Sequence, residues 1–155
     1  MLEPGQDAPA FSLPNADMKM VESKDFLGKN NLLLYFYPKD DTTGCTIEAV
    51  ELSDLLEEFQ RLDTLVFGIS RDTCVSHAAF RDKHGLTVQL LADPEGEVCN
   101  AYGVWQEREK NGEKRMGIVR STFLVDKAGV LRQLQYDVRP KGHAAEVLDW
   151  VKALD

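Results

Sequence analysis

No apolar run in the chain approaches the roughly 20 residues that span a bilayer, so no membrane segment is expected. Positive charge is scarce: 18 Lys and Arg face 26 Asp and Glu, a formal net charge of −8. Nucleic acid and anionic membrane surfaces reward basic patches, so neither is expected as a partner. Met1-Leu2-Glu3-Pro4 has no basic segment followed by an apolar one, so no signal peptide is expected. Cysteine is sparse and odd in number, three in 155 residues. That is not a secreted disulfide framework, and reducing, cytoplasmic surroundings are the simpler expectation. There is no Gly-rich phosphate loop and no haem or flavin signature, so no cofactor is expected. Cys74-Val75-Ser76-His77 has a ligand-like spacing, but no second cluster completes four ligands, and no metal is expected. No internal repeat, low-complexity segment or linker interrupts the chain, and 43% hydrophobic residues suffice for a core. Residues 1–155 therefore read as a single domain.

What the chain does contain is organised around Tyr35-Phe36-Tyr37-Pro38-Lys39-Asp40-Asp41-Thr42-Thr43-Gly44-Cys45-Thr46-Ile47-Glu48. The apolar run Leu32 to Tyr37 is short and ends at Pro38, which predicts a buried strand. Leu52, Leu55, Leu56 and Phe59 recur at helical spacing and predict a helix from Cys45 to Arg61. Cys45 thus falls at a helix start, beyond the C-terminal end of a strand. Unpaired N–H groups and the positive dipole end there favour a thiolate over a thiol. Thr42 can turn its hydroxyl toward the same point, and Pro38 can limit water. The alternative is a cysteine that starts a helix and does nothing.

Before this stretch, Phe11 and Leu13, then Met18 and Met20, alternate around Pro14-Asn15-Ala16-Asp17 and predict a short N-terminal β-hairpin. Ser23 to Phe26 reads as one helical turn. After it, Leu65–Ser70 predicts a second buried strand, followed by a helix to about His84 that Gly85 stops. Val88–Ala92 predicts a third strand, followed by a short helix through Cys99 and Tyr102. Trp105 to Arg115 is dense in charge and reads as a solvated loop. Ile118–Val125 and Val130–Tyr136 flank Asp126-Lys127-Ala128-Gly129 as an antiparallel pair, and His143–Leu154 predicts a last amphipathic helix. The order gives an α/β fold: a mixed central sheet with helices on both faces. Arg120 lies in the apolar stretch before Val125. Its spacing alone reads as a salt bridge at a sheet edge, since such an arginine needs an anionic partner. A carboxylate at Glu48 suits the first helical turn whatever its function. Lys39, Asp40 and Asp41 read as solvated turn residues.

Pro38-x-x-x-Thr42-x-x-Cys45 resembles the active-site signature of peroxiredoxins, which are thiol peroxidases. Tyr35-Phe36-Tyr37-Pro38-Lys39-Asp40 and Gly44-Cys45-Thr46-x-Glu48 resemble the bacterioferritin comigratory protein, or Q-type, branch. The likeness runs from Pro4-Gly5 to the last helix. It implies a thioredoxin-like fold and a thioredoxin-dependent peroxidase that reduces hydrogen peroxide and organic hydroperoxides. Cys45 would be the nucleophile and become a sulfenic acid. Arg120 in Arg-Ser-Thr-Phe-Leu-Val matches the arginine that peroxiredoxins place beside the thiolate. Thr42, Arg120 and the amides around Gly44 and Cys45 would bind the peroxide, Pro38 would shield the pocket, and Glu48 would hold Arg120. Many Q-type members carry a resolving cysteine five residues after the first, where this chain has Val50. A second subgroup's resolver position matches Arg81. Cys74 and Cys99 remain, and Cys74 is the resolving candidate, because two helix starts after parallel strands share one rim of the sheet. A one-cysteine peroxidase, a redox sensor that hands its oxidised state to a partner, and a disulfide oxidoreductase are the alternatives. The last would need Cys-x-x-Cys, and position 48 is Glu. The resemblance further implies thioredoxin or a similar dithiol protein as reductant, and a monomer.

Overall fold

The computed structural model describes residues 1–154; Asp155, the end of the expected 1–155 domain, lies outside the described residues. The hairpin β1 (Ser12–Pro14) and β2 (Met20–Glu22) opens the chain, followed by a 3-10 turn at Ser23–Phe26. The strand β3 (Asn31–Phe36) is buried along its full length and occupies the centre of a five-stranded sheet. It pairs in parallel with β4 (Thr64–Ser70), which pairs in parallel with β5 (Gln89–Ala92). On its other side it pairs antiparallel with β8 (Ser121–Val125), which pairs antiparallel with β9 (Leu131–Tyr136).

Period-two alternation along β3 divides the core in two. Leu33 and Tyr35 face one cluster, with Ala49 and Leu52 of α1 (Thr43–Asp54), Phe59 of α2 (Leu56–Arg61), Phe80 of α3 (Cys74–His84) and Val147 of α5 (His143–Lys152). Leu32, Leu34 and Phe36 face the other, with Phe11, Phe123 and Tyr102, and with Val98 and Cys99 of α4 (Glu97–Ala101). A mixed sheet covered on both faces, with an N-terminal hairpin, is the arrangement expected of a thioredoxin-like fold.

Three expectations need correction. The helix expected from Cys45 to Arg61 divides at Leu55, whose φ of −99° and ψ of 3° open the last turn of α1. The bend lets α2 lie along β4 and bury Phe59 completely. The stretch expected as a solvated loop is a two-stranded ribbon, β6 (Trp105–Lys110) and β7 (Glu113–Ile118). Asn111 and Gly112 take positive φ of 54° and 79°, as a two-residue hairpin turn requires. The charged residues suit a ribbon outside the main sheet, and its base is anchored by buried Ile118 and half-buried Trp105. Finally, Arg120 is not within a strand. The expected run Ile118–Val125 breaks at Val119–Arg120, where the chain passes from ribbon to central sheet. There Val119 donates its N–H to Val104 and Arg120 accepts from Val138, each at 2.8 Å.

Candidate active site

Cys45 is the third residue of α1, just beyond the end of β3, and it is 1% exposed. Thr42 is the N-cap residue with extended backbone, yet its side chain does not cap the helix. Its hydroxyl instead donates to the Lys39 carbonyl at 2.9 Å. Helical geometry gives the N–H groups of residues 43–45 no partner within the helix, so they stay available to an anion at the Cys45 end.

Arg120 reaches this point from the β7–β8 break. Its Nη2 donates to Cys45 Sγ at 3.2 Å and its Nη1 to Glu48 Oε1 at 2.8 Å. Glu48 is one turn after Cys45 on α1, with a side chain fully buried, and its second oxygen has no hydrogen-bond partner. One guanidinium therefore serves two acidic groups in a space nearly closed to water. Burial works against the Arg120 charge, but Glu48 and Cys45 outweigh it and hold the guanidinium protonated. Gly44 completes the packing. A Cβ there would lie 3.1 Å from Arg120 Nη2 and 3.3 Å from Pro140 Cγ, so the absence of a side chain lets the guanidinium lie against the helix.

Cys45, Glu48, Gly44 and Arg120 are thus in one contact set. Thr42 flanks it on the exposed turn, and Pro38 is exposed at the strand end. Cys74 is the first residue of α3, half-buried, on the same sheet edge as Cys45 because β3 and β4 run parallel in register. Cys99 is on the other face of the sheet, fully buried; burial and Asp93 push its thiol far up, so it stays protonated. All three cysteines are free thiols.

Two residues of this edge escaped sequence reading. Asp40, expected in solvent, is 7% exposed, while Lys39 and Asp41 are exposed as expected. Asp40 Oδ1 accepts from the Tyr37 hydroxyl at 2.6 Å, and Oδ2 accepts from Ser76 Oγ at 2.7 Å. His77 Nδ1 lies 2.7 Å from the same Oδ2, and its Nε2 lies 2.9 Å from the Leu91 carbonyl. Asp40, Asp72 and His77 lie close enough to resemble a metal cluster. Their polar atoms, however, are engaged with one another and with Tyr37, Ser70, Ser76 and Leu91. Both His77 nitrogens are occupied, so the Cys74–His77 spacing does not form a ligand pair. A one-residue difference in turn register decides which of three consecutive polar residues turns inward, and no local pattern marks it.

A buried cysteine at a helix start, an arginine on its sulfur and a mixed sheet covered on both faces are the features of a thiol-dependent peroxidase of thioredoxin-like fold. The chain belongs to the AhpC/TSA family, whose model matches residues 4–134. It is 44% identical over 148 residues to the putative peroxiredoxin bcp of Helicobacter pylori, covering 96% of this chain and 97% of that protein. Peroxiredoxin Bcp of Bacillus subtilis is 42% identical over 151 residues, at 97% and 96% coverage. Among solved structures, a cysteine-to-serine mutant of Xylella fastidiosa PrxQ superposes with a TM-score of 0.93 at 32% identity, covering 99% of this chain and 97% of that one. The bacterioferritin comigratory protein of Xanthomonas campestris, studied for alkyl peroxide reduction, gives 0.88 at 35% identity, covering 92% and 90%.

Glu48 generates a prediction about pH. Burial raises its carboxyl from 4.5 to about 7, outweighing the downward pull of Arg120, and Glu51 adds to the rise. The folded chain then holds this proton more tightly than the unfolded one. The contribution to stability is full below the unfolded value and is lost as pH rises through about 7. Glu48→Gln keeps the shape and cannot ionise. It should remove on the order of 3 kcal/mol of pH-dependent fall in unfolding free energy across that window. Urea titrations at several pH values read the slope, and a slope equal to the parent's would assign the proton elsewhere.

Gly44→Ala generates a second. Alanine favours a helix, but here the guanidinium must shift by tenths of an ångström. Removing one donor to a developing anion costs roughly 10²–10³ in rate, and a displaced donor should cost less, about tenfold in Cys45 oxidation. Rapid mixing with peroxide measures it, and an unchanged rate would show that the guanidinium tolerates the shift.

Proposed function

We propose that Cys45 is the nucleophile of this peroxidase and that Thr42, Arg120 and the first-turn amides of α1 bind the peroxide. The Cys45 thiolate attacks one oxygen of R–O–O–H. The S–O bond forms, the O–O bond breaks, the leaving alkoxide or hydroxide takes a proton, and Cys45 becomes a sulfenic acid. Negative charge spreads over sulfur and both oxygens in the transition state, where fixed donors act most strongly. The observation that carries this reading is the Arg120 Nη2 contact to Cys45 Sγ at 3.2 Å, with the same guanidinium held by Glu48. The Thr42 hydroxyl has its hydrogen on the Lys39 carbonyl, so its oxygen accepts from the peroxide O–H.

Pro38 lines a cavity of about 410 Å³ together with Arg71, Arg108, Trp105, Met116 and Ile118. Organic hydroperoxides as well as hydrogen peroxide are the substrates, a reading supported by the likeness to the Xanthomonas protein studied for alkyl peroxide reduction, with Pro38 shielding the reacting sulfur. Cys74 then resolves the sulfenic acid by displacing water and forming a Cys45–Cys74 disulfide. What supports Cys74 over Cys99 is the shared sheet edge, against a thiol buried on the opposite face. Thioredoxin or a similar dithiol protein reduces the disulfide. The chain works as a single peroxiredoxin domain over residues 1–155, a monomer in the cytoplasm, without a bound cofactor. No described helix is long and apolar enough to cross a membrane.

The test is peroxide consumption at catalytic protein concentration with a dithiol reductant. Cys45→Ser should abolish turnover with the fold retained, because the serine hydroxyl is not ionised near neutrality; more than trace activity would remove Cys45 from its role. Stoichiometric oxidation without turnover would indicate a sensor. Peptide mapping after one equivalent of peroxide, without reductant, should find Cys45 bridged to Cys74. A Cys45–Cys99 bridge, or a lasting sulfenic acid beside free Cys74, would overturn the choice of resolver.

A further inference from the structure

The turn between β3 and α1 carries Pro38 and Thr42, and it is fastened to α3 through a buried carboxylate rather than through its own exposed residues. Asp40 receives the Tyr37 hydroxyl from the end of β3 and the Ser76 hydroxyl from the first turn of α3. Its backbone N–H donates to Asp72 Oδ2 at 2.8 Å, and the same oxygen accepts from Ser70 Oγ at 2.7 Å at the end of β4. His77 spans the gap, with Nε2 at the Leu91 carbonyl of β5 and Nδ1 on Asp40. A carbonyl only accepts, so Nε2 carries a hydrogen; Nδ1 donates to Asp40 only with a second hydrogen, as an imidazolium paired with the carboxylate, and the two contacts fix the ring in orientation. His77 is wholly buried, and the Asp40 side chain is 4% exposed. Asp41 adds contacts to Lys83 at 2.6 Å and His84 at 2.8 Å, but these are in solvent, where such pairs contribute little.

We propose that His77 is a positioning residue for the peroxide reaction: through Asp40 it holds the Pro38–Thr42 turn against α3, so that Thr42 and the α1 amides meet the peroxide at Cys45 only while this hold lasts. The proposal rests on the peroxidase reading above. It deepens that reading by joining the two cysteine-bearing elements. Asp40 lies two residues before Thr42, and Cys74 lies one helical turn before His77, so the helix that carries the proposed resolver also holds the peroxide-binding turn.

Two variants separate the hold from simple packing. His77→Asn sets its side-chain N–H₂ near the position of Nδ1 and keeps a donor to Asp40. His77→Gln sets its N–H₂ near the position of Nε2, keeps the Leu91 carbonyl and leaves Asp40 without this donor. Both lose the imidazole ring, so a packing role would affect them alike. In the full chain, hydrogen exchange of residues 43–48 is read in the reduced protein without peroxide, and the rate of Cys45 oxidation is read by rapid mixing. His77→Gln should exchange about tenfold faster there and oxidise about tenfold more slowly, the scale of one lost hydrogen bond to a charged group. His77→Asn should stay within about threefold of the parent in both. Equal behaviour of the two variants, with the parent oxidised normally, would overturn the hold. A parent that leaves Cys45 unoxidised would overturn the underlying peroxidase reading instead.

Discussion

The Arg120 guanidinium, shared between a sulfur and a carboxylate, is the interaction on which the rest of the site depends. Removing two acidic groups from water is expensive unless each keeps a strong partner. Here one cation partners both, with Cys45 and Glu48 almost wholly buried. The arrangement is charge-limited: when both acidic groups ionise, one positive charge faces two negative ones. Burial pushes the Glu48 carboxyl upward against the pull of Arg120, and its unpartnered second oxygen gives a proton somewhere to sit. Gly44 is bound to the same geometry, since only a residue without a side chain lets the planar guanidinium approach the first turn of α1 so closely.

Everything else serves to bring these groups to one edge. Parallel pairing of β3 and β4 sends both following helices off the same rim, so the start of α1 and the start of α3 are neighbours. Antiparallel β8 delivers Arg120 to that rim from the opposite direction, because a strand that begins there carries its preceding residue to it. The break at Val119–Arg120 matters for the same reason. An arginine within a ladder would have its direction set by the pleat, whereas one just before the strand can aim along the edge.

The central strand, the position of Cys45 and the closing hairpin were legible because each rests on a local signal: an apolar run ended by proline, a polar turn before an amphipathic stretch, Asp and Gly between two β runs. Arg120 and Glu48 were legible only through family resemblance, since spacing alone left both as ordinary charged residues. The ribbon was missed because charge density was weighed above Asn111-Gly112, the stronger of the two signals for a pair of strands outside the core. Asp40 and His77 were out of reach for a different reason. They meet across 37 residues of chain, and the contact exists only because three strand ends and a helix converge. No periodicity in either segment encodes a partner supplied by topology.

The helix start beneath Cys45 has to meet two opposed demands, and its lack of a cap answers both. A Thr42 hydroxyl turned inward would satisfy a first-turn N–H and stabilise α1 by about 1 kcal/mol. It would also occupy a donor that the proposed reaction at Cys45 uses. Because that hydroxyl goes to the Lys39 carbonyl, the amides stay unoccupied, as the proposed peroxide binding requires, and the first turn forgoes the stabilisation of a cap. In the proposed cycle a sulfenic acid at buried Cys45 has to meet another thiol, and helix ends with unsatisfied groups are the first to open. The buried network around Asp40 supplies from outside the helix the order that a cap would have supplied from within, and unlike a cap it leaves the N–H groups of α1 unoccupied.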